Sequence, residues 1–488
     1  MKLTQELPEV QNFINGSFEQ HKVEAIEVIS PLDGSHISDV PISTIKELND
    51  AVKYASKAFH PWSKQTLKDR VQIFFRYRIL LEQNIEELSH LISLESGKTL
   101  NEAKAEIEKG IELCEFAVSI PQIIDNELLE VSKGVECRVE KKPLGVVASI
   151  TPFNFPSMVP HWTIPNALVL GNTMILKPSE KVPLSAMKIA SLLKEAGLPD
   201  GVFNVVNGKK EIVEAICDHP DIKAVTFVGS TKIAKIVYKR ATSSYKRCLA
   251  LGGAKNHLIV MPDAHQEMTA SNVIASMSGC AGQRCMAASV MIAVDNVAPI
   301  INKMLEKAKE IIPDENMGAI ISAEAKERIE AYISKAEKLG AKVILDGRNT
   351  KVKGKEKGFY IGPTILDHVS TEMSVAKEEI FGPVISIIRV KNLDQAIKVE
   401  NESNYGNAAA VFTTNGAIAK YVMERASAGM VGVNIGVPVP REPFSFGGWN
   451  ESKFGVGDIT GKSSIEFWTQ NKKTTTKWNP EAKINWMS

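Results

Sequence analysis

A cysteine set among small residues and next to an arginine is the first place in this chain where chemistry could sit. The run is Gly279-Cys280-Ala281-Gly282-Gln283-Arg284-Cys285-Met286-Ala287. Small residues on both sides let another segment or a ligand come close to the backbone. Arg284 beside Cys285 can help stabilise a thiolate, the nucleophilic form of the side chain. A buried structural cysteine fits the same local residues. The second candidate is Phe227-Val228-Gly229-Ser230-Thr231, where backbone N–H groups and a hydroxyl at a helix start can meet a phosphate. It lacks the GxGxxG fingerprint of dinucleotide sites, and alone it reads more simply as a strand–helix turn. The third is Ile175-Leu176-Lys177-Pro178-Ser179-Glu180. Lys and Glu at the carboxyl end of a strand lie where α/β proteins bind ribose and phosphate, although a solvated loop would look the same.

These segments sit in a pattern that alternates strand and helix. Residues 45–122 read as helices, with apolar residues at helical spacing over Ile45–Phe59, Val71–Gln83 and Leu100–Val118. Leu128–Lys141 changes to short alternation, as in an exposed strand or hairpin. From Leu144 to Ile150 the chain is a compact apolar run suited to a strand buried on both faces. Further strands are predicted at 173–176, 202–206, 224–228 and 257–261, separated by helices at 157–170, 184–196, 210–217 and 232–238. Such alternation specifies a parallel sheet with right-handed crossovers. A second α/β segment spans about 254–430, with a polar helix at 323–339. Ser464–Trp478 alternates again and is predicted to pair, as a strand, with the hairpin near 128–141.

Composition narrows the class. The 488 residues imply roughly two to three domains. A hydrophobic content of 44% with 24% charged residues is that of an ordinary globular protein. The balance of 58 basic against 57 acidic residues offers no electrostatic footprint for nucleic acid, so a small substrate is expected. No apolar run approaches the roughly 20 residues of a membrane span, and the first residues carry no signal-peptide or transit pattern. The six cysteines have neither CxxC nor disulfide-like spacing. They fit reduced thiols in a cytoplasmic compartment, and no metal site is expected.

In order and spacing, the segments together resemble the aldehyde dehydrogenase superfamily over nearly the whole chain. Thr151-Pro152-Phe153-Asn154-Phe155-Pro156 resembles its oxyanion segment, Lys177-Pro178-Ser179-Glu180 its ribose-binding loop, and Phe227–Thr231 its cofactor turn. Gly282-Gln283-Arg284-Cys285 resembles the nucleophile motif, and Glu378-Glu379-Ile380-Phe381-Gly382-Pro383-Val384 the later ribose-binding motif. The resemblance implies that Cys285 attacks the aldehyde carbon while the Asn154 amide and the Cys285 N–H hold the oxyanion. It implies NAD as cofactor, with Lys177 and Glu180 on the adenine ribose and Glu379 on the nicotinamide ribose, Phe381 packed nearby. Thr151, Phe153, Lys181, Gly229, Ser230 and Gly252 fall at its cofactor-cleft positions. A carboxylate at Glu180 favours NAD over NADP, because it would repel a 2′-phosphate.

One position departs from the hydrolytic members, which carry Glu-Leu-Gly-Gly-Lys with the Glu activating water. Here the aligned stretch is Leu251-Gly252-Gly253-Ala254-Lys255-Asn256-His257, and leucine cannot abstract a proton. The acyl-enzyme then needs a stronger nucleophile, and a thiol qualifies, so coenzyme A is the expected co-substrate. The stretches Gly253–His257, Pro152–Trp162 and Arg284–Ala287 resemble the CoA-acylating methylmalonate-semialdehyde dehydrogenases. That likeness implies conversion of methylmalonate or malonate semialdehyde to propionyl-CoA or acetyl-CoA with loss of CO2, Arg284 binding the substrate carboxylate. A second arginine of that family is replaced in Lys109-Gly110-Ile111-Glu112, where Lys109 keeps the charge but loses the bidentate fork. Arg441-Glu442-Pro443-Phe444 stands where relatives tend to be apolar. Arg441 is expected to pair with Glu442, replacement of the missing fork being the alternative. The competing functions are a hydrolytic NAD-dependent dehydrogenase of another semialdehyde and a catalytically silent structural homologue.

The implied architecture is α/β: a Rossmann-like NAD-binding lobe (1–122 and 143–252), an α/β catalytic lobe (253–463) and a protruding β oligomerisation arm (123–142 with 464–488). An arm edge invites strand pairing between subunits, so a homotetramer is expected.

Overall fold

The computed structural model describes residues 7–19 and 24–478. It is built on two large sheets and a three-stranded arm. Apolar, β-branched runs form the first sheet's centre. Val146–Ile150 and Thr173–Lys177 are buried along their whole length, as strands covered on both faces must be. Across the sheet, Phe203–Val205, Thr173–Lys177, Val146–Ile150, Ile222–Val228 and Arg247–Leu251 run parallel. Asn12–Ile14 and Lys453–Phe454 flank them antiparallel. Strand order reverses between Val146–Ile150 and Ile222–Val228. At such a switch the connections leave in opposite directions and open a crevice beyond the strands' carboxyl ends. Thr151–Phe153 and Gly229–Ser230 emerge there.

The second sheet orders Lys342–Leu345, Thr364–Asp367, Val384–Val390, Ala288–Val294, Asn256–Val260, Ala408–Phe412 and Met430–Val433. All but the first are parallel. Its amino-terminal edge carries Cys285, Glu379 and Asn407, each just ahead of a strand. Residues 252–255 run from the carboxyl end of the first sheet to the amino end of the second, so a cleft between those two edges collects the candidate residues.

Several helices begin as their sequences dictate. Thr44, Thr66 and Thr99 cap with Glu47, Asp69 and Glu102 in reciprocal capping boxes; each threonine cap contributes about 1 kcal/mol. The predicted helices and parallel strands are present within a few residues of the expected bounds. The chain's end differs. Gly461–Trp468 is a helix rather than the start of a strand, its Ile465 and Trp468 buried three residues apart against the helix Met158–Val169. The alternation of Ile465, Phe467 and Thr469 is real, but the burial of Ser464 and Trp468 as well makes a helical face instead. Only from Thr469 does the chain extend, pairing antiparallel with Val135–Pro143, which in turn pairs with Glu127–Ser132. The expected arm residues 479–488 lie outside the described residues. Among the described residues no helix is long and apolar enough to cross a membrane.

Candidate active site

Cys285 is presented by a turn that an ordinary sequence could not form. Cys280, Ala281 and Gly282 have φ of 52°, 51° and 69°, three left-handed residues in succession, which costs backbone energy outside glycine. A Cβ on Gly282 would collide with the Gly382 carbonyl, so the small residues read from the sequence do admit another chain segment. Beyond the turn, the Cys285 carbonyl accepts from the side-chain amides of Asn256 (2.7 Å) and Asn407 (2.9 Å). The backbone N–H groups of Cys285 and Met286 point at the thiol sulfur. Asn154 reaches the same loop, its Nδ2 donating to the Gln283 carbonyl at 2.9 Å. An amide nitrogen has two protons, so one remains for an oxygen near the sulfur.

Burial pushes the Cys285 thiol up to about 12, with Glu379 adding to the rise. Arg284 and the two N–H groups pull the other way without overcoming it. The thiolate support expected from Arg284 is therefore present but outweighed, and the resting thiol is protonated at neutral pH. Glu379 is itself pushed up to about 7 by burial, against the Ala254 N–H and Lys255. Lys255 is pushed down to about 7 by burial, and its Nζ has no hydrogen-bond partner among the described residues.

Two cavities meet at Cys285. The first lies at the switch crevice, lined by Phe153, Asn154, Lys181, Gly229, Ser230 and Gly252 together with Glu379 and Phe381. Phe153 and Phe381 meet edge to face at 5.8 Å, Phe381 from a left-handed backbone (φ 57°). Glu379 accepts from the Ala254 N–H at 2.9 Å and lies where a Cβ on Gly253 would have to go. Ser230 begins the helix Thr231–Ser243 without using its side chain as a cap, which leaves the hydroxyl and the helix start free for an anion. Thr151 and the Lys177–Glu180 pair (3.1 Å) adjoin this crevice without lining it; the Thr151 N–H donates to the Lys177 carbonyl. Burial raises the Glu180 carboxyl, but Lys177, its own N–H and Lys181 together hold it below its ordinary value. A glycine-floored crevice with a helix start and two flanking carboxylates fits a dinucleotide: Lys177 and Glu180 would hold one ribose, Glu379 the other, and Ser230 a phosphate.

The second cavity, about 450 Å³, shares Cys285 with the first and is lined by Lys109, Phe155, Trp162, Arg284, Arg441 and Glu442 among others. Arg284 is fixed by Nη2 donating to the carbonyls of Ala275 (2.6 Å) and Ser276 (3.0 Å), at the end of the helix Gln266–Ser278 where a cation is favoured. A Cβ on Gly279 would strike its guanidinium. Its Nε is buried without a partner among the described residues. The expected Arg441–Glu442 pair does not form. Glu442 instead takes Lys109 at 2.6 Å, and Arg441 lies 3.6 Å from Glu112, because neighbours in an extended loop point apart and each finds the helix Leu100–Ile123 opposite.

Sequence reasoning missed the residues that hold this geometry. Asn256 lay inside a quoted stretch but had no assigned role, and Asn407 carries no motif. Glu102 and Glu106 lie in the predicted helix and were given no role. Yet Glu102 accepts from the Cys280 N–H, and Glu106 accepts from the N–H groups of Ser157 (2.7 Å) and Met158 (2.9 Å). Only their separation by one helical turn hinted at a shared face.

A thiol beside the Asn154 amide and shared by two cavities is an arrangement that can bring a cofactor and a substrate to one sulfur. The profile of the aldehyde dehydrogenase family matches residues 18–474, and the chain belongs to that family of oxidoreductases. It is 43% identical over 482 residues to a malonate-semialdehyde dehydrogenase of Bacillus velezensis, covering 97% of this chain and 98% of that one. A malonate-semialdehyde dehydrogenase of Halalkalibacterium halodurans is 42% identical, over 96% of this chain and 98% of that one. Among solved structures, a Sinorhizobium meliloti protein assigned as a methylmalonate-semialdehyde dehydrogenase, in complex with NAD, superposes with a TM-score of 0.95. It is 39% identical, over 97% of this chain and 98% of that one. The methylmalonate-semialdehyde dehydrogenase of Oceanimonas doudoroffii also gives 0.95, at 40% identity over 97% and 99%.

Proposed function

We propose that this aldehyde dehydrogenase oxidises malonate or methylmalonate semialdehyde with NAD and transfers the acyl group to coenzyme A, yielding acetyl-CoA or propionyl-CoA and CO2. The observation that carries the acyl-transfer reading is Leu251. It stands at the end of the strand Arg247–Leu251, buried in the same apolar cluster that Cys285 packs against, where a hydrolytic enzyme would place its water-activating carboxylate. The substrate class rests on Arg284 and on the names of the relatives.

Cys285 releases its proton to solvent and attacks the aldehyde carbon, and the Asn154 amide with the Cys285 N–H receives the oxyanion. One such donor is worth about 3–4 kcal/mol of barrier. Bound in the switch crevice, the nicotinamide supplies the hydride acceptor, and an acyl thioester remains on Cys285. Leu251 supplies no carboxylate for activating water, and Phe155 and Trp162 give the cavities apolar walls beside Cys285, so the thioester waits for a thiolate to attack it. Loss of the β-carboxylate as CO2 leaves its electron pair on the carbon next to a thioester carbonyl, which accepts it; a proton then completes the acyl group.

Intact-mass measurement tests the intermediate. Enzyme given NAD and malonate semialdehyde without CoA is expected to hold one acyl group on Cys285, discharged when CoA is added. Enzyme that returns unmodified while free acid accumulates would refute the reading and leave the family assignment standing.

A further inference from the structure

The substrate cavity is cationic by residue type but not by balance. Lys109, Arg284 and Arg441 line it, and so do Glu108, Glu112 and Glu442. Lys109 is doubly engaged, 3.0 Å from Glu112 and 2.6 Å from Glu442. Glu442 is the more enclosed partner, its side chain 11% exposed against 41% for Glu112. Its loop is anchored just beyond it: the Lys462 N–H donates to the Pro443 carbonyl, and the Phe446 N–H to the Thr460 hydroxyl. Phe446 also packs on Trp162 with ring centroids 4.7 Å apart. Glu442 is thus held in place, and its carboxylate fills the site on Lys109 that a ligand's carboxylate would take. Arg441 is 82% exposed beside Glu112. Arg284, by contrast, lines the cavity with only the Ala275 and Ser276 carbonyls as side-chain partners and pairs with no carboxylate among the described residues.

We propose that Glu442 is a selectivity-determining residue: by holding Lys109 in an internal ion pair, it leaves Arg284 as the cation that meets the substrate's carboxylate. This rests on the reading of the cavity as a carboxylate-semialdehyde site. A single cation next in sequence to the nucleophile selects short aldehydes with one carboxylate. A second anionic group on the ligand would face Glu442. The substitution of lysine for arginine at 109 belongs with this arrangement, since a lysine point charge is satisfied by the pair where an arginine fork would keep donors to spare.

The test uses propanal as substrate and malonate as competitive inhibitor, so the readout does not depend on which semialdehyde the enzyme normally takes. E442Q is expected to lower the malonate inhibition constant on the order of tenfold, because Lys109 is released. K109M, which strips Glu442 of its partner, is expected to raise it. The double variant E442Q/K109M should return near the wild-type value. An inhibition constant unchanged or raised in E442Q, or a gain that survives in the double variant, would overturn the proposal. Turnover of malonate semialdehyde by the wild type is scored separately, so failure of the substrate reading and failure of the Glu442 assignment are distinguishable.

Discussion

The protein surroundings hold the Cys285 thiol above its ordinary value, and this has a consequence for pH. Its thiol is pushed up to about 12 by burial and by Glu379. A raised thiol value means that the reactive fraction keeps growing as pH rises through neutrality. Iodoacetamide labelling of Cys285 in the cofactor-free enzyme, followed by peptide mass spectrometry, is therefore expected to accelerate roughly tenfold per pH unit from 7 to 9 without levelling. A plateau below pH 8 would show a thiolate already formed at rest. Much of the candidate site was legible in the sequence, because the cysteine proposed as nucleophile, its neighbouring arginine and an aligned Leu251 are matters of residue type and order. Asn256 and Asn407 were not, since a side chain that bonds a distant carbonyl leaves no spacing to read. The closer partner of Lys109 was hidden for the same reason: Glu442 is 333 residues away in the chain.

At the scale of elements, the helix Leu100–Ile123 sets the register of both halves of the site. Glu102 holds the nucleophile turn through Cys280, Glu106 caps the helix that follows the oxyanion segment, and Lys109 enters the substrate cavity. Glu106 also pairs with Lys98, both side chains at most 4% exposed, and Lys98 lies 3.7 Å above the Phe155 ring. Removing one member of such a pair leaves a buried charge alone, at about 3–5 kcal/mol. Glu106→Ala is thus expected to lower stability by about that amount in denaturant unfolding, and a loss under 1 kcal/mol would mean that Lys98 finds water instead. Helices and parallel strands were readable here from periodicity. The helix Gly461–Trp468 was not, because two alternating apolar residues in so short a segment satisfy both periods until its buried partners are known.

At the scale of the whole molecule, the arm presents an open strand edge. The arm's outer strand Glu127–Ser132 is exposed throughout, with Leu128 and Leu129 each 66% and Val131 52% exposed. Apolar side chains on an unpaired strand edge are a template for another chain. A homotetramer is the expected state, four chain masses by light scattering, and Leu129→Lys is expected to shift it toward smaller species; a wild-type monomer would contradict this. The pairing of the arm hairpin with the chain's end was foreseen from alternation, whereas the crevice between the two sheets required the strand order, which no local pattern encodes.

In the proposed reaction Cys285 passes its acyl group to a thiol because Leu251 replaces the group that would activate water. The most direct measurement is NADH formation from malonate semialdehyde with and without coenzyme A, with products identified by mass spectrometry. Sustained turnover that requires CoA and yields acetyl-CoA is the predicted result. Equal turnover without CoA, releasing free acid, would contradict it and would place a water-activating group elsewhere in the cleft.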